Sequence, residues 1–154
     1  MNALLRLPGV RALVTFYRYI YINQPVLTTL TGLGLILMVG LTHMYAFPDI
    51  FGVAPYLGLS FAALFAGTLF AAGNIARGSF RWGWGFGAAL CVVAIVAYVL
   101  SRLFGFPGYP EARGAWDTPA GSFAVAFELA FIAITFAIAT GLAVAYPDRR
   151  DWHD

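Results

Sequence analysis

Four apolar runs, each long enough to cross a bilayer as a helix, dominate this chain and restrict what it can fold into. They cover roughly residues 25–47, 54–75, 82–104 and 119–146. The hydrocarbon core of a membrane takes about 20 helical residues to cross. The runs are continuous, whereas a membrane barrel needs many segments of about ten alternating residues. Proline and glycine stand near the expected ends: Pro25, Pro48, Gly105, Pro107, Pro119 and Pro147. The predicted fold is an all-α integral membrane protein, an antiparallel bundle of four transmembrane helices.

Composition agrees with this reading. Of the residues, 61% are hydrophobic and 10% charged, against about 25% charged in a soluble domain. Mean hydropathy is +0.80. No polar stretch is long enough for a second domain, and no cleavable leader is expected, because the first apolar run begins only near residue 25. Residues 1–24 read as a cytoplasmic interfacial segment, 25–147 as the transmembrane domain and 148–154 as a cytoplasmic tail.

Direction follows from the arginines, which supply all nine basic residues. Arg6, Arg11, Arg18, Arg77, Arg81, Arg149 and Arg150 fall on one side of the four spans, while Arg102 and Arg113 share the other with Asp49, Glu111 and Asp117. Cytoplasmic loops carry the basic excess, so both termini are expected inside, in the cell (inner or plasma) membrane. Val10, Leu13, Val14, Tyr17, Ile20 and Tyr21 recur at helical spacing with Arg11 and Arg18 opposite. This predicts an amphipathic helix on the inner leaflet ahead of the first span. Arg11, Arg18, Trp82 and Trp84 are the expected membrane-interface anchors. The small-residue pairs Gly83/Gly87, Gly67/Ala71 and Ala137/Gly141 offer close helix contacts.

Few polar residues interrupt the spans. Glu128 lies about 13 Å along the fourth, at 1.5 Å per residue. A carboxyl group at such depth faces the bundle interior, either as a proton, cation or ligand site or as a structural bond to another helix. Arg102, near the outer end of the third span, is its expected partner. His43, near the outer end of the first span, reads as an interfacial histidine bonded to a loop. A heme or metal reading for it is poor: the only other histidine, His153, is at the opposite terminus, and the adjacent Met44 points about 100° away on a helix. Asn74 reads as the C-cap of the second span. Loop 101–118, rich in Gly, Pro and aromatic residues, is expected to fold as a rigid, lid-like cap over the outer end of the bundle, the alternative being a partner surface or shallow site formed with Arg102, Trp116 and Asp117. Glu128, Arg102, His43, Trp116 and Asp117 together form the candidate polar cluster.

The segment Ser101-Arg102-Leu103-Phe104-Gly105-Phe106-Pro107-Gly108 leads through Trp116 to Ser122 and Glu128. It resembles a pattern in small uncharacterised prokaryotic four-helix membrane proteins, in which an SRxxGxPG loop precedes a Trp-acid pair and a Glu in the last span. The resemblance covers residues 98–130. It implies that Arg102, Gly105, Pro107, Gly108 and Glu128 belong to one feature of the outer half. Here the pair is Trp116-Asp117 where the pattern has Trp-Glu. No activity comes with it.

Several functions are disfavoured. There is no HExxH, GxSxG, phosphate-binding glycine loop or Asp-rich metal motif. The lone Cys91 excludes an intramolecular disulfide or a cysteine-based metal cluster. Retinal cannot form a Schiff base without lysine. A net charge of +2 gives no case for nucleic acid. The expectation is a non-catalytic accessory or structural subunit of a larger membrane complex, such as one of electron transport, with no cofactor of its own. Its partners would be membrane lipids and other membrane subunits or further copies. The alternatives are a small homo-oligomeric transporter or channel using Glu128, and a lipid- or pigment-binding protein, the last resting on an aromatic content of 17%.

Overall fold

The computed structural model describes residues 22–146. The predicted amphipathic helix, with Arg11 and Arg18, lies outside these residues, as do the tail at 148–154 and His153. Among the described residues four helices are long and apolar enough to cross a membrane. They are α1 (Pro25–Val53), α2 (Pro55–Ala76), α3 (Phe86–Phe104, preceded by a π-helical turn at Phe80–Gly85) and α4 (Pro119–Ala139). The protein is thus an all-helical, multi-pass bundle.

Two boundaries differ from expectation. α1 continues through Pro48 to Val53, so the expected loop at 48–53 is helical. A single extended residue, Ala54, joins it to α2, which has Pro55 in its first turn. Proline is tolerated inside membrane helices because the surroundings re-satisfy the freed carbonyl. α4 stops at Ala139 rather than Tyr146: Gly141 takes φ 74°, a left-handed conformation that ends helices at low cost only in glycine.

Neighbouring helices run antiparallel and pack in a ring, α1 on α2, α2 on the π turn and α3, α3 on α4, and α4 on α1. One end of the bundle, the terminal end, holds Pro25, Ala76, Phe80 and Ala139. The other, the loop end, holds Val53, Pro55, Phe104 and Pro119. Without water to drive association, close contact decides how membrane helices meet. A Cβ on Gly83 would lie 2.7 Å from the backbone nitrogen of Ile75, and one on Gly87 2.8 Å from the Phe131 ring. These two glycines therefore do mark helix contacts. Gly141 lies beyond the end of α4.

Trp84 fills the centre of the terminal half. It is 0% exposed and stacks on Phe131 with centroids 5.6 Å apart and planes 9° from parallel. Its six-membered ring lies against Gly32 of α1. The expectation that Trp84 anchors the interface is therefore overturned, whereas Trp82, 49% exposed with Arg81 over its ring at 5.2 Å, faces outward. In either an α or a π turn, residues two apart point to roughly opposite sides, so the two tryptophans face different ways.

Beyond α4 the chain turns back across the terminal end. Ile22 N–H donates to the Leu142 carbonyl and Val144 N–H to the Ile22 carbonyl, at 2.8 and 3.1 Å. Thr29 Oγ1 donates to the Ala145 carbonyl at 2.9 Å. The residues on either side of the bundle are thereby tied to one another. A cavity of about 350 Å³ opens beside this tie, lined by Thr29, Ile75, Arg77, Ala145 and Tyr146 among others.

Candidate functional site

Glu128 is one residue from Leu129, the middle of α4, and therefore near mid-depth in the span. It is 1% exposed. A buried carboxyl needs compensation, because desolvating its charge costs far more than a neutral group. The partner is His43 of α1, whose Nε2 lies 3.6 Å from Glu128 Oε1. This exceeds a normal hydrogen-bond length, and Oε1 has no hydrogen-bond partner.

His43 is fixed from its other side. Its Nδ1 lies 2.9 Å from the Val39 carbonyl one turn earlier. Its ring packs edge-on against Phe61 of α2, centroids 5.0 Å apart. Cys91 of α3, fully buried and free, lies within Coulombic reach of Glu128. Helices α1, α2 and α4 thus each contribute a side chain in contact at this level. Among the described residues no three His, Cys, Asp or Glu side chains come together as a metal site.

Arg102 is elsewhere. Its Nη1 donates to the Ala112 carbonyl at 3.1 Å and its Nη2 to Thr118 Oγ1 at 3.2 Å, and its guanidinium sits 4.6 Å from the Tyr98 ring centroid. Its Nε is buried without a hydrogen-bond partner. Thr118 is the N-cap residue of α4, and Glu128, ten residues on, is about 15 Å further along that helix. The expected Arg102–Glu128 pairing is therefore replaced by two separate features, a pair in the bundle interior and a clasp on the loop.

The clasp organises the loop end. Gly114 N–H donates to the Arg102 carbonyl at 2.8 Å, and Tyr56 Oη of α2 donates to the Pro107 carbonyl at 2.8 Å. A short bridge between Phe106 and Tyr109 and a 3₁₀ turn at Pro110–Ala112 complete the cap. Gly105 and Gly108 have φ of 73° and 75° at its corners. Trp116 packs edge-on against Tyr98 but is 49% exposed, and Asp117 is exposed. Of the five candidate polar residues, the structure joins Glu128 with His43, places Arg102 and Trp116 around Tyr98, and leaves Asp117 at the surface. His43 does not reach a loop. Asn74 does not cap α2 either, since its amide donates back to the Phe70 carbonyl within the helix at 2.9 Å.

Sequence reasoning missed Tyr146. At the terminal end Trp84 Nε1–H donates to Tyr146 Oη at 2.8 Å, and the Tyr146 hydroxyl donates to the Ile75 carbonyl at 3.0 Å. A buried tryptophan N–H requires an acceptor, and the burial of Trp84 was the missing premise. No protein-family model, curated protein or solved structure matches the chain.

Proposed function

We propose that this chain is a small non-catalytic subunit of a larger membrane assembly, seated in the cell membrane with both termini cytoplasmic. The observation that carries it is the closed interior at mid-depth. Glu128, at 1% exposure, is turned onto His43, and the adjoining terminal half is filled by Trp84, Phe131, Ile36 and Ile75, all fully buried. The outward faces carry large apolar side chains such as Leu30, Leu41, Tyr45, Val93 and Phe136. Such faces suit lipid and the helices of neighbouring membrane chains. The arginine asymmetry supports the direction.

Mild solubilisation of native membranes tests this. The chain should migrate as part of a larger complex, with other membrane chains at fixed stoichiometry, and its deletion should deplete that complex. A lone, monodisperse species of 16.7 kDa would overturn the proposal.

The unpartnered Oε1 at mid-depth favours a second reading, a homo-oligomeric transporter or channel with Glu128 on its path. Reconstituted wild type and Glu128→Gln would then differ in proton or cation flux. Equal flux, or none from either, counts against it.

A further inference from the structure

We infer that His43 and Glu128 form a binding site for a single proton at mid-depth in the bundle. The Val39 carbonyl can only accept, so Nδ1, 2.9 Å away, carries hydrogen. In neutral imidazole the other nitrogen is then bare. Nε2 thus presents a lone pair to Glu128 Oε1 at 3.6 Å. A carboxylate there would face that lone pair with its charge uncompensated, which a buried site resists strongly. One proton removes both penalties. Held on Glu128, it is donated from O–H to Nε2. Held on His43, it is donated from Nε2–H to the carboxylate. Either way the pair is neutral overall, and the gap has only to close by a few tenths of an ångström to reach hydrogen-bonding range.

Among the described residues the surroundings supply no substitute charge. From α2 the neighbour is the Phe61 ring edge. From α3 it is the Cys91 thiol, neutral or negative but never positive. The α3 cation, Arg102, is held on Ala112 and Thr118. A second proton would leave an unbalanced imidazolium, and removing the only one would leave an unbalanced carboxylate. The site therefore takes one.

The proton count is measurable in the intact protein in lipid nanodiscs. Nuclear magnetic resonance of isotope-labelled histidine reports each ring nitrogen of His43, with His153→Gln removing the other histidine. Infrared spectroscopy of isotope-labelled glutamate reports Glu128, and the only other glutamate, Glu111, is exposed in the loop. At neutral pH the expected result is a protonated Nδ1 with one of two combinations: a carboxylic acid band with neutral imidazole, or a carboxylate band with imidazolium. A carboxylate with neutral imidazole (no proton), an acid with imidazolium (two protons), or a bare Nδ1 would each overturn the inference. In Glu128→Gln no carboxyl remains to share a proton with Nε2, so where His43 titrates between about pH 5 and 8 in the wild type, that titration should shift or be lost. An unchanged titration would also overturn it. The wild-type spectra decide the matter even if that variant does not fold.

Discussion

Trp84 and Tyr146 are joined by a 2.8 Å hydrogen bond from the indole Nε1–H to the phenolic oxygen, and the Tyr146 hydroxyl in turn donates a hydrogen bond to the Ile75 carbonyl at 3.0 Å. One hydroxyl thereby ties the π turn, the end of α2 and the segment after α4. Polar bonds inside membrane proteins are worth about 0.6 kcal/mol on average and up to about 1.7. Tyr146→Phe keeps the ring and loses both bonds. It should destabilise the bundle by about 1–3 kcal/mol, read as a lower thermal midpoint in detergent. An unchanged midpoint would show that the bonds are not formed.

Gly83 and Gly34 make a contrasting pair. Gly83 abuts the α2 backbone at Ile75, while a Cβ on Gly34 would meet nothing within 4 Å. Gly83→Ala should cost about 1–3 kcal/mol through overpacking. Gly34→Ala should be neutral or stabilise by up to about 1 kcal/mol, as expected for an open helix position. Thermal midpoints of the two variants should fall on opposite sides of, or one level with and one below, the wild type.

Arg102 spans two acceptors with one planar guanidinium, Ala112 O and Thr118 Oγ1. A lysine has a single ammonium and cannot reproduce that fork. Arg102→Lys should loosen loop 105–118 while sparing the bundle. Limited proteolysis should cut the variant faster in this loop, with helix content by circular dichroism retained. Equal cutting rates would mean that Tyr56 and Tyr98 hold the loop alone.

Direction in the membrane has a labelling test. Cys91 is buried and should resist a membrane-impermeant maleimide. Cysteine placed at the exposed Asp117 should react from outside intact cells, and cysteine at the exposed Ala76 only after permeabilisation. The reverse pattern would invert the topology inferred from the arginines.

Helix number and the depth of Glu128 were legible because both depend only on apolar length and rise per residue. The partner of Glu128 was not. Taking Pro48 as a stop put His43 at a helix end, beside a loop, whereas α1 runs on to Val53 and His43 lies deep enough to meet Glu128. Which faces meet across a bundle depends on rotation about each helix axis, and a nearly uniform apolar surface does not encode that angle. Trp84 was different: its position two residues from Trp82 already required opposite directions. Arg102 lies near the end of α3, where its long side chain had a choice between the interior and the loop, and the carbonyl and hydroxyl of the loop are nearer.

The order of synthesis gives the His43–Glu128 contact a further meaning. The ribosome delivers α1 well before α4, so His43 enters the membrane ahead of its counterpart. The last span carries the carboxyl group, the Phe131 ring that stacks on Trp84, and the approach to Tyr146. The arrangement of the three earlier helices is therefore complete only once α4 is in place, bringing Glu128 to His43 and Phe131 onto Trp84.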